Sequence, residues 1–268
     1  MTVLGVVRAS SRTPKSAKAS PNEMSLVQHL AELRRRVVVC LAFFFLAALV
    51  AYFAYGPVLR FLVEPLCRVA ATSTASNAHG VVSASGCQLY VTSPLDGLSL
   101  RIRITVFSAL FLASPVIAYQ LWRFVTPGLR RAEKRFALPF AAATTVLFAA
   151  GALTAYEALP HALGFLESIG GPRLVALYNP ISYLGLITAM MVIFGVAFEF
   201  PAVLVSLELA RVITSAQLLH WWRWAVMSIV VLAGVFVPSS DPLSMCALAV
   251  PLVAFYFLAI GVGRLLHR

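Results

Sequence analysis

The sequence predicts an all-α polytopic membrane protein, a bundle of six transmembrane helices with both termini on the cytoplasmic side. Three observations carry that prediction. The 268-residue chain is 60% apolar and only 12% charged, with a mean hydropathy of +0.89, whereas a soluble domain carries about twice that share of charge. Apolar runs recur at the length a bilayer demands. The basic excess, 21 Lys and Arg against 10 Asp and Glu, gives a net charge of +11 and falls mainly on one side of those runs. A soluble chain this basic would point to nucleic acid; here the apolar excess points to a membrane with basic residues retained on one face.

A spanning helix needs roughly 20 mostly apolar residues, because lipid offers no partner to a backbone amide left outside a helix. Six segments qualify, at about 37–55, 101–123, 136–158, 180–207, 222–239 and 242–263. Once they are counted, the length leaves no room for a second large domain, and the membrane domain is expected over 24–268. Orientation follows from the positive-inside rule. With the N-terminus inside, only Arg60, Arg68, Arg101, Arg103 and Arg173 of the 21 basic residues fall outside. All four tryptophans, Trp122, Trp221, Trp222 and Trp224, then lie at the cytoplasmic interface, where amphipathic rings favour headgroup depth.

Residues 1–23 are polar and basic with no acid before Glu23. They read as a disordered, solvated tail or as sequence ahead of a start at Met24. The triplet Arg34-Arg35-Arg36 before an apolar run could be taken for a cleavable export signal. That run is longer than the usual apolar region of roughly 7–15 residues and five further spans follow, so it reads as a retained first helix.

The largest outside segment, about 56–97, contains Cys67 and Cys87. Two cysteines in one oxidising loop could form a disulfide worth roughly 3 kcal/mol by loop entropy, or remain free thiols. In the stretch 57–66, Val58, Leu59, Leu62 and Leu66 recur at helical spacing, which predicts a short amphipathic helix on the outer surface.

Among the acids, Glu199 interrupts an apolar run nine residues before Glu208, roughly 13 Å inside the end of the helix. Pro201 removes the amide that would bond the Ala197 carbonyl, which predicts a bend. Intramembrane acids are functional by default, here as a titrating or partner-binding carboxyl; a carboxyl satisfied by a neighbouring helix is the plainer reading. Glu32 and Glu133 sit in basic, cytoplasmic surroundings, and from the residues alone they read as solvated surface pairs. Asp241, in the tight turn before the last span, is explained by turn chemistry or by N-capping. No phosphate loop, zinc-protease motif or nucleophile elbow is present, and the five histidines are scattered, so no enzyme activity, metal or cofactor is expected.

The chain resembles the TatC family, the polytopic receptor subunit of the twin-arginine protein translocase. The likeness rests on His29-Leu30-x-Glu32-Leu33-Arg34-x-Arg36 before the first span. It continues in Ser114-Pro115-Val116-x-x-Tyr119-Gln120-x-Trp122-x-Phe124-x-x-Pro127-x-Leu129 and in Glu133-Lys134-Arg135. Further on come Phe165-Leu166, Gly195-x-x-Phe198-Glu199-x-Pro201 and Asp241-Pro242.

The resemblance implies a concave, cupped bundle with two short C-terminal spans in a bacterial plasma (inner) membrane. It implies a receptor for twin-arginine signal peptides, working with single-span TatA and TatB type subunits and further copies of itself to export folded cargo on the proton motive force. Glu32 and Glu133 match the signal-binding acids, and Arg34, Arg36, Phe124 and Arg135 match residues around them. Pro65, Tyr156, Glu199 and Asp241 match positions tied to transport or assembly. Met245 and Cys246 depart from the polar residues that the family often has on the last helix, and Pro238-Ser239-Ser240 lacks paired prolines. A proton-coupled secondary transporter using Glu199 is the rival reading; it would need polar residues on other spans to line a path, and the sequence offers almost none.

Overall fold

In the computed structural model the described residues are 26–72, 82–83, 86–87, 93–125, 137–170, 179–209, 212–238 and 241–266. They form helices α1 (Leu26–Phe53), α2 (Tyr55–Thr72), α3 (Asp96–Val125), α4 (Ala137–Gly170), α5 (Pro180–Phe198), α6 (Phe200–Leu209), α7 (Ser215–His220), α8 (Trp222–Phe236) and α9 (Pro242–Leu266). A two-residue antiparallel pair, β1 (Val82–Ser83) and β2 (Gly86–Cys87), sits between α2 and α3.

Among the described residues, five helical stretches are long and apolar enough to cross a membrane: Leu30–Phe53, Asp96–Arg123, Leu138–Leu166, Pro180–Glu208 and Pro242–Arg264. Trp222–Phe236 is apolar but shorter; at 1.5 Å per residue it reaches about 22 Å, against a hydrocarbon layer of roughly 30 Å. The shortness expected of the last two spans therefore falls on α8 alone, since α9 has 25 residues. The fourth stretch is broken, as Pro201 requires: α5 ends at Phe198, Glu199 forms a turn, and α6 resumes at Phe200. Helix α4 continues three turns past the expected end at 158, through Pro160.

The core lies where α4, α5 and α9 meet, with Leu159, Leu163, Ile187, Met190, Phe194 and Tyr256 fully buried. Small residues bring α4 and α5 together. A Cβ at Gly151 would lie 2.5 Å from the Phe194 carbonyl oxygen, and one at Gly195 would lie 2.8 Å from the Phe148 ring. With no hydrophobic drive between helices in lipid, such close packing holds a bundle. Helix α1 leans chiefly on α3 and α8 on α9, leaving Leu41, Phe45, Leu49, Val231 and Val235 exposed on outer faces, as lipid contact demands.

Consecutive long helices alternate in direction, so the molecule has two ends. One carries α2, the start of α3 and the start of α5. The other carries α7, the start of α1, the end of α3 and the start of α4.

Candidate functional site

At the α7 end, Glu32 and Arg36 lie one turn apart on α1 and form an ion pair. The Arg36 side chain is 11% exposed and that of Glu32 32%, so the arginine is the more buried partner. Arg36 Nη1 also donates to the Gln120 carbonyl oxygen at 3.1 Å, which ties α1 to the last turns of α3. Arg34 and Arg35 are exposed. Two residues beyond Gln120, buried Trp122 stacks on Phe140 at 3.7 Å with 22° between the rings. That stack joins the end of α3, which Arg36 ties to α1, to the start of α4. The Phe124 backbone belongs to α3; its side chain, Glu133 and Arg135 lie outside the described residues.

The α2 end is built around a proline. Pro65 sits buried inside α2, and lacking an N–H it frees the Phe61 carbonyl four residues earlier. The Tyr156 hydroxyl of α4 donates to that carbonyl at 3.0 Å, and the Tyr156 ring stacks on Phe61 at 4.4 Å, 4° from parallel. Pro65 and Tyr156, matched separately by the sequence, are thus one unit. Tyr183 of α5 adds a second anchor, donating to the Leu62 carbonyl at 2.9 Å. The expected apolar face is present: Leu62, Val63 and Leu66 are buried, and Val58 and Leu59 pack against the core. On the exposed face, Glu64 and Arg68 pair at 2.7 Å, and the Glu64 carboxylate holds the Arg68 guanidinium above its ordinary pKa. Cys67 is disulfide-bonded, and Cys40 and Cys246 are free thiols; the Cys87 side chain lies outside the described residues.

The same device recurs at two other prolines. Pro115 of α3 frees the Phe111 carbonyl, and the Ser114 hydroxyl donates to it at 2.8 Å. Pro201 frees the Ala197 carbonyl, and the Glu199 N–H turns back to the Val196 and Ala197 carbonyls. Inside a bilayer each such group needs an internal partner. The Glu199 carboxyl, at the break between α5 and α6, is half-buried. Asp241 is fully buried and accepts the Ser244 N–H at 2.7 Å, so it N-caps α9 with Pro242 in the first helical position.

The family profile described as Sec-independent protein translocase protein (TatC) matches residues 28–251. The chain belongs to the TatC family. The TatC protein of Frankia casuarinae is 37% identical over 260 residues, covering 97% of this chain and 71% of that one. That of Aquifex aeolicus is 33% identical over 248 residues, covering 91% and 97%. A crystal structure of the twin arginine translocase receptor TatC in DDM superposes with a TM-score of 0.71 at 32% identity, covering 88% of this chain and 99% of that one. This TatC chain is accordingly a membrane-spanning, all-helical translocase component. What sequence reasoning missed are contacts without a motif: the Gln120 carbonyl, the Phe140 ring and Tyr183. Only an isolated tyrosine in an otherwise apolar span hinted at the last.

Proposed function

We propose that this TatC protein is the receptor and core subunit of a twin-arginine translocase, with its α7 end cytoplasmic, six spans over 24–268 and both termini inside. Glu32 and Glu133 accept the paired arginines of an export signal. The observation that carries the reading is the Glu32–Arg36 pair, anchored through the Gln120 carbonyl near the end of α3. A signal guanidinium that reaches Glu32 in two parallel bonds competes with Arg36 for the carboxylate, and Arg36 keeps its bond to the Gln120 carbonyl. Lysine cannot form that fork, so a pair of arginines is favoured.

Arg34, Phe124 and Arg135 complete the signal-facing surface. Pro65, Tyr156 and Asp241 hold the opposite end in shape for assembly with TatA and TatB type subunits and with further copies. Glu199 serves transport rather than recognition. The short α8 thins the bilayer beside it, which aids passage of folded cargo on the proton motive force. The test is site-specific crosslinking of a twin-arginine signal in plasma-membrane vesicles, with a twin-lysine control. Glu32→Ala and Glu133→Lys should each cut crosslinking at least tenfold with insertion intact, while Glu199→Ala should keep crosslinking and lose export. Unchanged crosslinking in both signal-site variants would sink the assignment; lost crosslinking in Glu199→Ala would merge the two roles.

A further inference from the structure

Toward the α2 end, a groove of about 680 Å³ lies between α3 and α5. Its walls are apolar: Ile102, Val106 and Leu110 on α3, and Ala189 and Val192 on α5. One charged group enters it. Arg103 is exposed there and donates from Nη1 to the Ile181 carbonyl oxygen at 3.2 Å. Gly185 makes room for it, since a Cβ at that position would overlap the Arg103 guanidinium. The arginine therefore lies across α5, pinned by one donor, with the rest of its five-donor fork facing out.

Depth decides what meets that fork. The uncharged run that follows Arg103, 104–122, has ~19 residues and spans about 28 Å as a helix, which matches the roughly 30 Å hydrocarbon layer. Arg103 thus lies at the hydrocarbon boundary, the level of lipid phosphates. We propose that the α3–α5 groove binds a phospholipid, its phosphate on Arg103 and an acyl chain along Val106, Leu110, Ala189 and Val192. Guanidinium matches phosphate in geometry and charge, and the apolar walls match the chain. An anionic headgroup is preferred, because no lipid ammonium offsets the pairing. Arg101, two residues away, is turned elsewhere: its guanidinium lies 4.1 Å from the centre of the Tyr52 ring on α1. It serves as the charge-matched control.

The site can be tested on the full-length protein purified in mild detergent, titrated with phosphatidylglycerol and read by native mass spectrometry. Wild type should retain one phospholipid more than Arg103→Gln, whose affinity should fall at least tenfold. Arg101→Gln should stay within twofold of wild type, Arg103→Lys should fall between, and glycerophosphate without acyl chains should not compete. In membranes, a phospholipid with a photoreactive acyl chain should label peptides containing Val106 and Ala189. No loss in Arg103→Gln, an equal loss in Arg101→Gln, or displacement by glycerophosphate overturns the proposal. So does absent labelling in membranes, which would mean that a protein helix covers the groove. Twin-arginine crosslinking should persist in Arg103→Gln, so this reading and the receptor reading fail separately.

Discussion

The two ends of the bundle hold their segments by different means. At the α2 end, hydroxyls of Tyr156 and Tyr183 reach carbonyls of a third helix, a ring stack backs one of them, and Asp241 caps α9 while fully buried. These are neutral or capping bonds in water-poor surroundings, where breaking one strands a polar group. At the α7 end, Arg36 pairs with Glu32 one turn away on α1 and also bonds the Gln120 carbonyl of α3. That contact is ionic, and its carboxylate side chain is partly exposed. The difference teaches where recognition can sit: a receptor face needs groups whose resting partners can be displaced, and the opposite face can be rigid.

The largest test of this contrast is at the proline. Tyr156→Phe should destabilise the protein by about 1–2 kcal/mol, because the Phe61 carbonyl loses its donor. Pro65→Ala restores an N–H one turn away, so Tyr156→Phe should cost under about half as much in that background. Thermal unfolding of the four proteins in detergent measures the coupling; additive losses would show the two residues act independently.

Next in size, Asp241→Ala should cost about 1 kcal/mol through loss of the α9 cap, with Asp241→Asn recovering most of it and signal crosslinking unchanged. At the α7 end the order reverses. Arg36→Gln should lower stability by about 1 kcal/mol, yet reduce signal crosslinking severalfold because Glu32 loses its orienting partner. Large unfolding with intact crosslinking would reverse the contrast. Smallest of all, Glu64→Gln breaks an exposed pair on α2 and should leave both readouts within error, with any residual effect gone at high salt.

Much of the fold was legible. The apolar runs fall on observed helices, the amphipathic stretch at 57–66 is part of α2, and Pro201 marks the break at Glu199. These are local properties, written in the transfer energy of a few neighbouring residues. Helix ends were less legible: α4 runs on to Gly170 and α7 was not anticipated, because a Thr214–Gln217 capping box stabilises one short turn that hydropathy does not register. At the candidate site, Glu32, Arg34 and Arg36 could be named from their motif and found on α1. Helix spacing puts both Arg35 and Arg36 in reach of Glu32, so neither the choice of Arg36 nor its second bond was legible.

By itself the sequence determined that the chain is a set of apolar helices, which carbonyls its prolines would free, and which few carboxylates stand out against a basic background. Each depends on residues close in the chain. The tertiary structure alone decided what answers those demands. Tyr156 finds the carbonyl that Pro65 frees across 95 positions, Arg36 finds Gln120 across 84, and Gly185 clears a path for Arg103. Hydrogen-bond partners this far apart are selected by helix packing, and packing depends on shape across the bundle rather than on any window of sequence.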